Sequence, residues 1–231
     1  MNYADWQNIY YKILKDFNFS KEKDIESAKI LDEFLQIRNK INILSLKKFI
    51  ESEEVVVFGS GPSLEKSVCE NIDLYIDKIL ISADGATSAL IENCIFPDII
   101  LSDLDGKISD QVMSNKKGSL IIIHAHGDNI EKIKDNFYKF EEKILGTTQA
   151  DPSQFKNLYN FGGFTDGDRA IFLANHFNAK KIYLIGFDFD GNIGKYSFAE
   201  KKDKKQKLKK LEWAKYLIDM LNEEKQNIVF L

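Results

Sequence analysis

Glu54-Val55-Val56-Val57-Phe58-Gly59-Ser60-Gly61-Pro62-Ser63 is the stretch on which the fold turns. The apolar run at residues 55–58 is short and β-branched, as buried strands are. Gly59 and Gly61 then let the backbone turn tightly and approach a ligand. Pro62 carries a φ suited to a first helical turn, and a helix is expected over residues 63–71. The C-terminal remainder repeats this alternation. Strands are expected at residues 55–58, 79–82, 99–101, 120–123, 143–145, 181–185 and 228–231. Further helices are expected at 87–93, 130–140, 166–177 and 203–224. Such alternation predicts an α/β fold, an open and largely parallel sheet with flanking helices.

Towards the N-terminus the period changes. Trp6, Ile9, Tyr10, Ile13, Leu14 and Phe17 recur at helical spacing, and a second helical stretch runs from Ser20 towards Ile50. Ser20 reads as its N-cap. Residues 1–52 are therefore expected to be an N-terminal helical region, a cap or arm without chemistry of its own. Residues 53–231 are expected to be the α/β catalytic domain.

Hydrophobic residues make up 44% of the 231-residue chain and charged residues 29%, which places it among ordinary globular proteins. The net charge of −4 argues against a nucleic-acid binder. No apolar run is long enough to span a bilayer, no signal peptide is evident, and a cytoplasmic enzyme is expected. Cys69 and Cys94 lack metal-type spacing and read as small buried hydrophobes. The lysines between Lys201 and Lys210 alternate with Gln206 and Leu208 and read as a solvated helix face, with an anion-binding patch as the alternative.

Polar residues gather where the strands end. Ala83-Asp84-Gly85-Ala86, Ser102-Asp103-Leu104-Asp105-Gly106, His124-Ala125-His126-Gly127-Asp128-Asn129 and Gly186-Phe187-Asp188-Phe189-Asp190 each follow a strand, as the glycine turn does. Ligands of open parallel sheets bind outside the carboxyl ends of the strands. The turn of Gly59, Ser60, Gly61, Pro62 and Ser63, leading into a helix N-terminus, points to phosphate. Asp103 and Asp105 stand two apart and can share a hard cation with substrate phosphates. Asp84 reads either as a helix cap or as part of the same site. His124 and His126 do not make a transition-metal site, since no Cys joins them. Asp128 fits magnesium or phosphate handling, and His126 a hydrogen bond to phosphate or substrate. In Phe161-Gly162-Gly163-Phe164-Thr165-Asp166-Gly167-Asp168-Arg169, paired glycines bring a loop close to a ligand, and Thr165 or Asp166 caps the next helix. Arg169, one of only two arginines, suits phosphate, with an ion pair to Asp166 as the structural alternative.

Taken in order, these motifs resemble the archaeal 6-hydroxymethyl-7,8-dihydropterin pyrophosphokinase family over roughly residues 54–195. The core is also similar to thiamine pyrophosphokinases, which carry an Asp-Gly-Gly turn, a Ser-Asp-x-Asp-Ser turn and an Asp-x-Thr-Asp helix start. Here those positions read Asp84-Gly85-Ala86, Ser102-Asp103-Leu104-Asp105-Gly106 and Asp128-Asn129 without the Thr-Asp, departures that argue against thiamine. The resemblance implies Mg2+-dependent transfer of diphosphate from ATP to the pterin hydroxymethyl group, giving AMP. It implies Asp84, Asp103, Asp105 and Asp128 as catalytic carboxylates, with Asp103, Asp105 and Asp128 handling Mg2+. Gly59 to Ser63 and Arg169 would hold phosphate. His126, Gly163, Thr165, Asp166, Asp168 and Asp188 would surround the pterin, with Phe161 and Phe164 as candidates for its apolar slot. ATP and a small pterin are the expected partners, and a homo-oligomer is compatible with the sequence. Rival readings are a nucleotide-sugar glycosyltransferase using Asp103 and Asp105, a thiamine pyrophosphokinase, and a non-catalytic nucleotide sensor.

Overall fold

In the computed structural model, which describes residues 3–38, 41–70, 72–141, 143–197 and 204–231, the valine and isoleucine runs form one parallel sheet. Its strands are β1 (Glu54–Phe58), β2 (Ile79–Ala83), β3 (Ile99–Ser102), β4 (Leu120–Ala125), β5 (Ile144–Thr148), β6 (Leu158–Tyr159), β7 (Lys181–Ile185) and β8 (Ile228–Phe230). They stand in the order β6-β5-β4-β3-β2-β1-β7-β8. The chain therefore winds outward from β1 to one edge, then returns to lay β7 against the other side of β1. That reversal opens a crevice at the carboxyl ends of β1 and β7, where such sheets bind ligands. Phe58 lies opposite Ser82 on one side and Ile185 on the other, so the turns after all three strands emerge together.

Strand side chains alternate between faces. Val55, Val57, Ile99, Leu101 and Ile122 face one layer and Val56, Phe58, Ile100, Ile121 and Ile123 the other. On the first face pack α1 (Tyr3–Phe17), α3 (Ile43–Ile50), α9 (Asp166–His176) and α10 (Lys204–Lys225). On the second lie α2 (Lys21–Gln36), α4 (Leu64–Glu70), the short α5 (Ile72–Tyr75), α6 (Ala86–Glu92) and α8 (Ile130–Asn136). The N-terminal helices thus clasp the sheet from both faces. Trp6, Tyr10, Leu31, Leu35 and Ile50 are almost wholly buried in doing so, and each such side chain contributes about 1.5–3 kcal/mol of burial.

The expected second N-terminal helix is two helices, because Asn42 starts a new one by accepting the Leu44 N–H at 2.9 Å. Ser20 caps α2 as expected, accepting from the Lys23 N–H. α7 (Ile108–Lys116) and β6 were not foreseen. α7 hides polar residues: Gln111, Ser114 and Asn115 are buried, and Asn115 donates to the Ser119 carbonyl at 2.9 Å. Its apolar period is therefore weak. β6 has two residues, too few to show alternation. Cys69 and Cys94 are exposed, correcting the expectation of buried thiols. Among the described residues no helix is long and apolar enough to cross a membrane.

Candidate active site

A cleft opens above the carboxyl ends of the strands, lined by Gly59–Gly61, Asp84, Asp103, Asp105, His126, Asp128, Asp166, Arg169 and Asp188 among others. Asp84 follows β2 with a φ of 34°, which turns its carboxylate away from the helix it precedes. Gly85, without a side chain, occupies the α6 cap position instead. The Asp84 carboxylate accepts the Ser102 hydroxyl at 2.5 Å and the Gln111 amide at 2.8 Å. It lines the cleft and does not cap α6.

Asp103 leaves β3 towards the same point. His126 Nε2 stands 3.0 Å from one of its oxygens, and the other is buried without a hydrogen-bond partner. Asp166, the first residue of α9, places a third carboxylate there. Oxygens of Asp84, Asp103 and Asp166 lie within 4.8 Å of one another. Three converging carboxylates with an orphaned oxygen suit a hard cation. Burial, then the charges of Asp103 and Asp105, hold the Asp84 carboxyl well above the ordinary range. Burial and the Asp103 charge do the same to Asp166, against the pull of Arg169. Burial pushes Asp103 upward too, but His126 and Arg169 outweigh it and leave Asp103 low. One firm anion among acids that resist ionising is an arrangement that a bound cation would stabilise.

Asp105, half-exposed, stands beside Asp84 and Asp103 and is raised by burial and by the Asp103 charge, with Lys132 at 3.7 Å as its ion-pair partner. Asp128 lies exposed on the rim, outside the carboxylate group. Asp166 takes the place in that group that the sequence reading gave to Asp105 and Asp128. The reason is topological: α9 crosses the first face and brings residue 166 over β2 and β3.

Arg169, buried, donates to Asp166 at 3.1 Å and to the Gln149 side-chain oxygen at 3.2 Å. Gln149 in turn donates to Asp24 at 2.9 Å, and Asp24 also accepts from the Tyr10 hydroxyl at 2.6 Å and the Gly127 N–H at 2.8 Å. The N-terminal helices therefore reach the site through Asp24, with Phe19, Ser20 and Lys23 also lining the cleft.

Several expected contacts belong to the scaffold instead. The Gly59 N–H donates to the Ile185 carbonyl and the Gly61 N–H to the Gly186 carbonyl, both at 2.8 Å. The N–H and hydroxyl of Ser63 both donate to Asp188, at 2.9 and 2.8 Å. The glycine turn is thus a close-approach surface in which the Gly59, Gly61 and Ser63 amides are already bonded, and Asp188 braces it. Pro62 and Ser63 fall outside the lining. Gly186, at φ +74°, lets β7 pass so near Gly59 that a Cβ would strike its carbonyl. Asp168 is fully buried and accepts the Thr165 N–H at 2.5 Å, the Thr165 hydroxyl at 2.9 Å and the Phe164 N–H at 3.2 Å. It folds the loop rather than touching a substrate. Gly163, at φ +89°, packs against the Arg169 backbone. Phe161 stacks on Tyr159 away from the cleft, whereas Phe164, Phe187 and Phe189 line it. Lys207 and Lys210 also line the cleft, which corrects the solvated-face reading for these two; residues 201–203 lie outside the described residues.

Residues 28–193 match a family described as 6-hydroxymethylpterin diphosphokinase MptE-like. The chain belongs to this family. Curated relatives cover its whole length. A 6-hydroxymethyl-7,8-dihydropterin pyrophosphokinase of Methanocaldococcus jannaschii is 46% identical over 100% of both chains. Proteins with the same description from Pyrococcus furiosus and Methanothermobacter thermautotrophicus are each 40% identical, covering 96% and 94% of this chain and 94% and 93% of theirs. Among solved structures, a MAf glycosyltransferase from Magnetospirillum magneticum aligns with 60% of this chain and 23% of its own, at 17% identity and a TM-score of 0.37. That likeness is too slight to bear on function. The family is the one the strand-end motifs resembled, and its match includes the second half of α2 as well as strands β1 to β7.

Proposed function

We propose that this chain transfers the diphosphate of ATP to the hydroxymethyl oxygen of 6-hydroxymethyl-7,8-dihydropterin, with Mg2+ as cofactor. The acceptor is inferred from the descriptions of its full-length relatives. The observation that carries the reaction class is the Asp84, Asp103 and Asp166 cluster with its orphaned Asp103 oxygen. So many carboxylates beside a phosphate substrate are costly without a metal.

In this reading Asp84, Asp103 and Asp166 would hold the magnesium, with Asp105 next to them and Asp128 at the rim. Bound there, it would neutralise charge on the phosphate oxygens. The remaining work is positioning. Arg169 faces the phosphates while Asp166 and Gln149 fix its plane. His126, held by Asp103, presents its ring at the same mouth. Gly59, Ser60 and Gly61 let the phosphate chain lie close to the backbone. Phe164, Phe187 and Phe189 give a flat heterocycle an apolar wall. The acceptor oxygen bonds to the β-phosphorus as the bond from that phosphorus to the α,β-bridging oxygen breaks. AMP leaves with the electron pair, and the hydroxyl proton passes to solvent or a carboxylate.

A product assay with ATP, Mg2+ and the pterin, with thiamine in a parallel tube, tests this. Pterin diphosphate and AMP, abolished in a folded Asp103→Ala variant, are expected. Thiamine diphosphate alone would replace the acceptor. Neither product, with ATP bound, would end the reading.

A further inference from the structure

We infer that Lys207, on the first turns of α10, is the cation that grips the polyphosphate of the donor nucleotide. This rests on the reading of the cleft as a nucleoside-triphosphate site. ATP brings several negative charges to a mouth that already holds acidic side chains. The groups expected from the sequence to meet them are largely committed. Gly59, Gly61 and Ser63 have spent their N–H groups inside the protein, and Arg169 is shared between Asp166 and Gln149. Arg169 keeps an unpartnered Nε, and a cation from another element would add to the charge it offers.

Lys207 is such a cation. Its side chain lines the cleft and is half-buried. Its ammonium donates to the carbonyl of Ser197 at 2.9 Å and to the Ser197 hydroxyl. Both are neutral acceptors, and among the described residues no carboxylate lies within ion-pair distance of it. An ammonium has three donors, so one is left for a ligand. Burial and the Lys210 charge push this ammonium down from the ordinary lysine value, while the charges of Asp105, Asp84 and Asp166 pull it back up. It therefore feels the acidic cluster without neutralising it by contact.

The anchoring of Ser197 explains the aim. The chain just before it folds over the glycine turn, where Gly194 packs so tightly on Ser60 and Gly61 that a Cβ would collide with them. Lys207, tied to Ser197, thus lines the same cleft as the glycine turn and the carboxylates. Lys205, two residues earlier, is exposed and lies outside the cleft lining.

The test is calorimetric binding of magnesium α,β-methylene-ATP, a donor that cannot transfer, to wild type, Lys207→Met, Lys207→Gln, Lys207→Arg and Lys205→Met. Steady-state kinetics accompany it. Both neutral variants at 207 are expected to bind about tenfold more weakly and to lose about 100-fold in kcat. Lys207→Arg should recover most of the binding and Lys205→Met should match wild type. Mn2+ should still bind without nucleotide in all five, no more weakly in the neutral 207 variants than in wild type, which a collapsed cleft would not permit. A folded Lys207→Met or Lys207→Gln that binds the analogue like wild type overturns the inference. So does wild type that does not bind the analogue. Lys207-dependent binding without pterin diphosphate formation would remove the proposed acceptor and leave the role of Lys207 standing.

Discussion

Asp84 sits between the Ser102 hydroxyl and the Gln111 amide, beside two further acids. In Asp84→Asn the new carbonyl oxygen can keep both hydrogen bonds, and asparagine tolerates the positive φ. Only the charge is lost. At about pH 8 the metal-free variant should therefore melt above wild type, since a repulsive neighbour of Asp103 is gone. Activity should fall by at least about 10–100-fold, the usual scale for disturbing a metal site. Paired melting curves and rates check this, and a variant less stable without metal would contradict it. Asp84 and Asp103 stood out in the sequence because they directly follow apolar strands. Asp24 and Gln149 did not. They meet across a separation of 125 residues, and an aspartate in an early helix looks like any solvated position.

The loop into α9 shows how an element can be mistaken for a site. Residues 161–169 are rich in glycine and acids, and Asp166 and Arg169 do reach the cleft. Asp168, between them, points the other way and ties down the Phe164 and Thr165 amides. Asp168→Ala leaves those buried donors unbonded, at a cost of about 1–3 kcal/mol. Thermal or urea unfolding should show that loss. KM should rise through Phe164, while the Mn2+ affinity of the remaining carboxylates changes less. Unchanged stability would return Asp168 to the list of substrate contacts. Along the same helical turn, i and i+2 face apart, so spacing separates the roles once the helix start is known. α7 illustrates the opposite difficulty: it supplies Gln111 to Asp84, yet its buried side is polar and shows no apolar period.

Across the whole molecule, the acidic cluster gives the metal-free protein a distinctive response to pH. Asp84, Asp105 and Asp166 have folded-state values above the unfolded carboxylate range. The folded state thus holds protons that the unfolded chain releases, and stability falls as pH rises through that window. Asp103 is depressed and acts oppositely, but only as pH falls below the ordinary carboxylate value of about 3.9. In a chelator the melting temperature should rise as pH drops from about 8 to about 5, and Mg2+ should flatten that slope. A slope absent in chelator, or untouched by Mg2+, would contradict the metal reading. The sequence by itself determined the α/β class, the order of most strands, and the acids and glycines at their carboxyl ends. These are local facts, carried by short apolar runs and the polar residues immediately after them. Only the tertiary structure decided that Asp166 joins Asp84 and Asp103, that Asp24 and Gln149 brace Arg169, that the Gly59, Gly61 and Ser63 amides are already spent, and that Lys207 looks inward. Each depends on which strand ends the topology makes neighbours and on the direction a side chain takes from its helix, and neither is written in the spacing of residues along the chain.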